Sequence, residues 1–236
     1  MAQAPHQTQV IGGPDIVANV AAIRERIARA AVSAGRRPED VTLVAVSKTF
    51  PAKMVTAAHA AGIRHFGENW VQEAQTKIPQ FRDSEPRTVW HMVGHLQTNK
   101  VKVALELFDV IQSIDSLHLG EAIARRAGSR RVPVLLEVNV AGEASKSGFT
   151  PEDVPDAVRV LQHLTELEVL GLMTVAPEVP DPEQVRPVFR RLRELRDALG
   201  LADLSMGMSE DYEVATEEGA TIIRLGRAIF GHRPQI

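Results

Sequence analysis

Short apolar segments rich in β-branched residues alternate along this chain with longer segments that have helical spacing. We predict eight strands, at Val41–Val46, Ile63–Gly67, Val89–Val93, Val110–Ile114, Val132–Val140, Val169–Thr174, Leu204–Met206 and Thr221–Leu225. The helical patterns between them lie at Ala52–Ala61, Asn69–Ile78, Asn99–Leu107, Leu117–Ala127, Pro151–Leu164, Pro182–Leu199 and Glu210–Glu218. Such alternation is typical of a parallel sheet whose strands are joined by crossover helices.

A closed barrel explains this pattern better than an open sheet. Eight βα units fit within roughly 195 residues, the usual arrangement of a (β/α)8 TIM-type barrel. The alternative is an open doubly wound sheet, which usually carries a glycine-rich dinucleotide turn after its first strand. Here that turn reads SKTFP. We predict one α/β barrel domain over residues 14–236, with an extra amino-terminal helix to about Ser33 and a disordered leader over residues 1–13.

Composition narrows the classes of function. The net charge of −3 favours neither nucleic acid nor an anionic membrane as a partner, and the absence of cysteine excludes disulfides and thiolate metal sites. His91 and His95 fall on a strand and its following loop, so we predict no metal site there. With no signal peptide, membrane segment or long exposed apolar stripe in the pattern, we expect a cytoplasmic monomer.

Lys48 closes the first strong strand pattern, VTLVAVSKT. In (β/α)8 barrels the chemistry lies at the carboxyl ends of the strands. A neutral lysine amine there can attack an aldehyde and form an imine, and an apolar strand beside it lowers the amine's pKa. Position alone favours a solvated lysine at a strand end.

The last two predicted strands end in groups that suit a phosphate. Ser209 follows the seventh strand and can donate a hydrogen bond or cap the helix predicted near Glu210. Gly226 follows the eighth strand and lets the backbone approach an anion, beside the amide of Arg227. Phosphates in these barrels often bind at the same two loops. An amine for an aldehyde, with this phosphate site, predicts pyridoxal 5′-phosphate as the cofactor.

Arg224 lies two residues before Gly226, so the two residues lie on the same face of the eighth strand. An inward-facing guanidinium needs a partner. A pyridine nitrogen is one candidate. Because a guanidinium donates but cannot accept, the nitrogen would stay unprotonated and the ring would be a weaker electron sink.

At these residues the chain resembles the pyridoxal phosphate homeostasis protein family, relatives of the barrel domain of alanine racemase. The resemblance runs from about Ile16 to Pro234 and rests on seven ordered motifs: AVSKT, FGENWVQEA, WHMVGHLQTNK, SKSGF, GLMTVAP, MGMSEDYEVA and RLGRAIFG. Motifs of this length in one order are specific.

The resemblance implies that Lys48 carries an imine to the cofactor, with Arg224 facing the pyridine nitrogen. It also implies a phosphate site formed by Ser209, Gly226 and the Arg227 amide. Further residues expected to line the pocket are Asn69, His91 and Met173, with Asn139 a weaker candidate. Lys146, in SKSGF, is either a second amine that accepts the aldehyde during transfer or a solvated loop lysine.

The family implies a carrier that buffers the cofactor and supplies it to pyridoxal phosphate-dependent apoenzymes. Two alternatives remain open. The first is a minimal amino-acid racemase or another enzyme using the cofactor. A two-base racemase needs an acid and a base on opposite faces of the cofactor. Alanine racemases use a tyrosine as one of these bases, but the only tyrosine here, Tyr212, falls in the last predicted helix. The second is a phosphosugar enzyme that uses Lys48 without any cofactor.

Overall fold

The sheet is a closed barrel of parallel strands in the computed structural model, which describes residues 14–231. Its strands are β1 (Thr42–Val46), β2 (His65–Glu68), β3 (Val89–Met92), β4 (Val110–Ile114), β5 (Val132–Glu137), β6 (Leu167–Met173), β7 (Asp203–Ser205) and β8 (Ile222–Leu225). Each strand pairs with the next, and β8 closes on β1, where Val44 lies opposite Arg224. The predicted (β/α)8 barrel is confirmed, and the open sheet is excluded.

Helices surround this barrel. They are α1 (Ile16–Ser33), α2 (Ala52–Ala60), α3 (Val71–Lys77), α4 (Val101–Leu107), α5 (Leu117–Ala127), α6 (Val154–Gln162), α7 (Arg186–Ala198), α8 (Tyr212–Glu217) and α9 (Arg227–Phe230). Both ends of β4 and α5 match the prediction. Several other helices begin two to four residues later than predicted. The chain is still extended at Trp70, before α3, whereas a 3-10 turn precedes α4 and α7. The short α9 was not predicted, and the predicted leader over residues 1–13 lies outside the described residues.

The extra amino-terminal helix is confirmed as α1. Asp15 caps it, accepting a hydrogen bond from the Ala18 amide at 3.0 Å. Its apolar face, which includes Val20 and Ile27, is buried, and the helix packs against α8, α9 and α2 on the outside of the barrel. Within residues 14–231 no helix combines the length and apolar character needed to cross a membrane.

Two separate regions of packing hold the molecule together. The larger lies between the helices and the outer face of the sheet. The smaller is inside the barrel, where Val44, Leu135, Met173 and Ile222 pack against one another. Residues two positions further along these strands project to the same face. The strand residues that follow this inner cluster therefore form the mouth at the carboxyl ends of the strands, which we call the barrel mouth.

Candidate functional site at the barrel mouth

Lys48 stands at the barrel mouth, directly after β1, and is half-buried. It lies two residues beyond Val46, whose side chain faces the space above Gly67. The next residue, Thr49, has a φ of +69°. A non-glycine residue in this left-handed region costs about 1–2 kcal/mol and needs support from its surroundings. The chain therefore turns sharply at Lys48.

The loops after β7 and β8 meet. The Ser209 hydroxyl accepts a hydrogen bond from the Ala228 amide at 3.2 Å, so it joins the loop after β7 to the first turn of α9. Ser209 does not cap the helix that follows it in sequence, because α8 begins later, at Tyr212, behind Asp211. Gly226 precedes α9, and a Cβ there would lie 3.3 Å from the Val46 carbonyl oxygen.

The Arg227 side chain points away from this junction. It is exposed and forms an ion pair with Glu210 at 3.4 Å. The part of Arg227 that lies between Gly226 and Ala228 is its backbone. The structure therefore brings Ser209 to the first turn of α9, which directly follows Gly226.

Arg224 is buried inside the barrel, as its position on β8 predicted. Its guanidinium donates to the Ser205 hydroxyl at 2.6 Å and to the Thr174 carbonyl at 2.8 Å. Burial lowers the pKa of Arg224 to about 10, and the carboxylates of Glu137 and Asp211 act in the opposite direction. The group is a cation held in a defined orientation.

A chain of hydrogen bonds leads from Arg224 across the barrel. The Ser205 hydroxyl donates to Gln112 Oε1 at 2.6 Å, and Gln112 Nε2 contacts His91 Nδ1 at 2.9 Å. His91 Nε2 in turn contacts His65 Nδ1 at 3.0 Å. A guanidinium only donates, so the Ser205 hydroxyl accepts from Arg224 and donates its own proton to Gln112 Oε1. The Gln112 amide nitrogen then donates to His91 Nδ1, and the His91 proton therefore lies on Nε2. Burial lowers the pKa of His91 to about 3, so the ring stays neutral.

His91 and Met173 therefore lie inside the barrel, below the mouth. His91 is nearly fully buried within the hydrogen-bond chain, and Met173 belongs to the inner apolar cluster. Asn69 lies higher, in the loop after β2, where it lines a cavity of about 280 Å³ with Trp70 and His95. Gly94 lets it sit there, since a Cβ at Gly94 would lie 2.5 Å from the Asn69 carbonyl oxygen.

Lys146 lies in the loop after β5, beside a second cavity of about 360 Å³. Its ammonium donates to Glu143 Oε1 at 2.5 Å and to the Val175 carbonyl at 3.2 Å. The Asn139 side chain binds the backbone of this loop, donating to Glu143 O and accepting from Glu143 N. Asn139 thus holds the loop that carries Lys146.

The sequence analysis missed Glu137, the last residue of β5. It lies two residues after the inward-facing Leu135, so it faces the mouth. Burial, followed by the Asp115 carboxylate, raises the pKa of Glu137 to about 7, although Arg224 and His95 act against this. The alternation of Leu135, Glu137 and Asn139 marks a single face and is the signal that would have found this carboxyl group.

Together these residues give the mouth an amine, a titratable carboxyl group, a buried cation and a junction of hydroxyl and amides. Such a set can hold a small molecule that carries an aldehyde at one end and an anion at the other. Within the described part of the chain, no cluster of three or more histidine, aspartate or glutamate residues is placed to hold a metal ion.

Comparison with known proteins gives close relatives over most of the chain. The family described as the N-terminal domain of alanine racemase matches residues 18–234. The pyridoxal phosphate homeostasis protein of Pseudomonas aeruginosa is 45% identical over 222 residues, which are 92% of this chain and 96% of that protein. Its counterpart from Aquifex aeolicus is 43% identical over 219 residues, 89% and 95% of the two chains.

Solved structures agree. The structure of PipY from Synechococcus elongatus with PLP bound has a TM-score of 0.80 and 36% identity, covering 92% of this chain and all of PipY. An alanine racemase from Clostridium difficile has a TM-score of 0.69 at 13% identity, covering 94% of this chain and 57% of the racemase. At that identity the racemase supports the barrel fold alone.

Proposed function

Since this chain belongs to the pyridoxal phosphate homeostasis protein family, we propose that it binds pyridoxal 5′-phosphate and serves in the homeostasis of that cofactor. The proposal includes an imine between the cofactor and Lys48. It also includes delivery of the cofactor to apoenzymes that depend on it. The PLP-bound structure of PipY supports binding of the same cofactor here.

The residues of the barrel mouth fit pyridoxal phosphate. The aldehyde would meet Lys48, and the phosphate would meet Ser209 and the amides of the first turn of α9. The 3.2 Å bond between Ser209 and Ala228 supports this assignment, because it joins the loops after β7 and β8 where barrel phosphate sites form. A Cβ at Gly226 would lie 3.3 Å from the Val46 carbonyl oxygen, which leaves little space for a side chain.

Other residues would hold and shield the ring. Arg224 would face the pyridine nitrogen, with its guanidinium oriented by Ser205 and Thr174. Asn69 would lie at the side, while Met173 and His91 would support the site from below. When bound, the cofactor supplies an aldehyde that reacts reversibly with amines. Enclosing it in this pocket would limit its attack on other proteins.

The observation that carries the proposal is the placement of one lysine, Lys48, at the mouth that also holds the junction of Ser209 and α9. The test is the absorption spectrum of the protein with pyridoxal phosphate, before and after borohydride reduction, followed by peptide mass spectrometry. We expect a visible band, and a reduced adduct on Lys48 that the Lys48→Ala variant lacks. Lys146→Ala is the matched control and should keep both.

A colourless protein that gains no band would contradict the cofactor assignment and favour the phosphosugar alternative. An adduct on Lys146 in the wild type would instead show that the imine forms in the loop after β5. Pyridoxal without its phosphate tests the anion site. Wild type should bind it far more weakly than pyridoxal phosphate, and Ser209→Ala should reduce that difference.

Delivery to apoenzymes requires a separate assay. The loaded protein is mixed with an inactive apoenzyme, and recovery of activity is compared with that given by the same concentration of free cofactor. Faster recovery from the loaded protein would support direct transfer. Direct transfer is also supported if a scavenger of free aldehyde leaves the recovery of apoenzyme activity unchanged. If the scavenger abolishes that recovery, the protein only buffers the free cofactor. We also propose that the protein lies in the cytoplasm and is a monomer. Sedimentation would test the monomeric state.

A minimal amino-acid racemase is the second candidate, and Glu137 is the observation that favours it. Its carboxyl group faces the mouth, and its pKa of about 7 suits proton transfer. Against it, Tyr212 is buried beneath α1, with Arg26 5.3 Å from its ring centre. Loss of α-deuterium from labelled amino acids in the presence of the cofactor would identify an enzyme. Retention of the label would support the carrier.

A further inference from the structure

One buried cluster holds both peptide groups that flank Lys48. We call Ser47, Glu68, Glu73 and Lys77 the Lys77 cluster. The Lys77 ammonium donates to the Ser47 carbonyl at 2.8 Å, and the Glu73 carboxylate accepts from the Thr49 amide at 2.7 Å. The first bond fixes the peptide before the Lys48 Cα, and the second fixes the peptide after it. Together they set the backbone angles of Lys48 and the direction of its side chain.

All three hydrogen-bond donors of the Lys77 ammonium have partners. Its three donors meet three acceptors: the Ser47 carbonyl, Glu68 Oε1 at 2.7 Å and Glu73 Oε1 at 2.8 Å. Its side chain is only 5% exposed and that of Glu68 is fully buried. The Ser47 hydroxyl also donates to Glu68 Oε1, at 2.6 Å. Because the charges of Lys77 and Glu68 are buried, removing either one would leave the other uncompensated, and the geometry is rigid.

The cluster also supports the strained turn. Thr49 is the one non-glycine residue with a positive φ between residues 14 and 231. A residue in this region persists where its surroundings determine it, and such strain is concentrated at functional sites. The support comes from Glu73, on α3, through the Thr49 amide. A bond from α3 therefore acts at the turn beside the reactive lysine, although α3 follows a different strand.

Stability alone does not explain the arrangement. A buried ion pair is often no more stabilising than apolar residues of the same size. The bonds of this cluster end on the two peptides beside Lys48, where an apolar replacement could fill the space but could not hold the backbone. The cluster is therefore suited to orienting Lys48.

We propose that Glu68, Glu73 and Lys77 are positioning residues for the Lys48 amine in its reaction with an aldehyde. In that step the Lys48 nitrogen bonds to the aldehyde carbon, and the carbonyl oxygen leaves as water with the two hydrogens of the neutral amine. The cluster touches neither reactant and acts through the backbone of Lys48. The inference rests on the proposed function, because it assumes that Lys48 forms the imine.

The test measures the rate of imine formation by stopped-flow absorbance after mixing with pyridoxal phosphate. Glu73 is partly exposed, so its variants should fold. Glu73→Ala removes the acceptor of the Thr49 amide and should slow the reaction roughly tenfold to a hundredfold, the scale expected for a misplaced reacting group. Glu73→Gln keeps an oxygen that can accept this bond and should recover most of the rate. Lys77→Met should resemble Glu73→Ala.

Glu218→Gln is the matched control. Glu218 is a buried carboxylate bound by Arg186, Arg190 and Arg193, and it lies before β8, at the opposite end of the barrel from Lys48. The Glu218→Gln variant should unfold at a lower urea concentration than the wild type, while its rate of imine formation should stay within about twofold of the wild-type rate.

Three results would overturn the inference. The first is an unchanged rate in Glu73→Ala and Lys77→Met. The second is equal slowing in Glu73→Ala and Glu73→Gln. The third is slowing in Glu218→Gln in proportion to its lost stability. A wild-type protein that forms no imine on Lys48 would instead refute the proposed function, so the two failures are distinguishable.

Discussion

Replacing Glu137 with glutamine should change how the stability of the protein depends on pH. The folded protein raises the pKa of Glu137 from 4.5 to about 7, chiefly by burial and then by the Asp115 carboxylate. A carboxyl group whose pKa is higher in the folded state holds its proton more tightly there. Its contribution to stability is therefore complete below the unfolded pKa and is lost as the pH rises through the folded pKa.

The size of the effect follows from these two values. Each pKa unit corresponds to about 1.4 kcal/mol. Between pH 8 and pH 5 the wild type should gain about 2.5 kcal/mol relative to Glu137→Gln, since glutamine does not titrate. Histidines that do not interact with Glu137 contribute equally to both proteins and cancel in this difference.

Urea unfolding followed by circular dichroism, at half-unit steps from pH 5 to pH 8 and without added cofactor, measures the difference. Glu106→Gln, on the exposed side of α4, controls for the substitution itself. Profiles of wild type and Glu137→Gln that stay parallel within about 0.5 kcal/mol, the usual effect of a surface substitution, would refute the argument that Glu137 is buried at the mouth.

Three other predictions follow from the geometry. Burial depresses the pKa of His91 from 6.5 to about 3, so the wild type should lose stability as the pH falls below 6.5, by about 1.4 kcal/mol per unit from this ring; urea unfolding of His91→Gln should show a shallower loss. Gly94→Ala places a Cβ 2.5 Å from the Asn69 carbonyl oxygen and should destabilise the protein by about 1–3 kcal/mol in the same assay, whereas an unchanged midpoint would contradict this contact. Thr49→Gly removes the penalty of a φ of +69° and should raise the free energy of unfolding by up to about 1 kcal/mol, partly offset by the greater freedom of glycine in the unfolded chain; a lower melting temperature would count against the strain at this turn.

The fold follows from local patterns in the sequence. Alternating apolar strands and helical spacing report which residues face a core, and a barrel is the compact solution for eight such units. For the same reason the sequence also places Lys48, Arg224 and Gly226 at the carboxyl ends of their strands. Even the missed Glu137 obeys the alternation of β5, so its place at the mouth was predictable from the sequence.

The contacts between distant side chains were decided by the tertiary structure alone. Ser209 looks in the sequence like the cap of the next helix, yet its hydroxyl accepts from Ala228 in another loop. Nothing local indicates that Ser205 on β7 reaches Gln112 on β4, because these strands are not neighbours and the bond crosses the barrel interior.

The Lys77 cluster has the same origin. Periodicity assigns Lys77 to the end of a helix, where a lysine is usually exposed, and only the packing of α3 against the loop after β1 buries it beneath Lys48. Sequence patterns are set by the solvent exposure of single positions. Hydrogen bonds between long side chains depend on closing the barrel, which brings together residues that no periodicity relates.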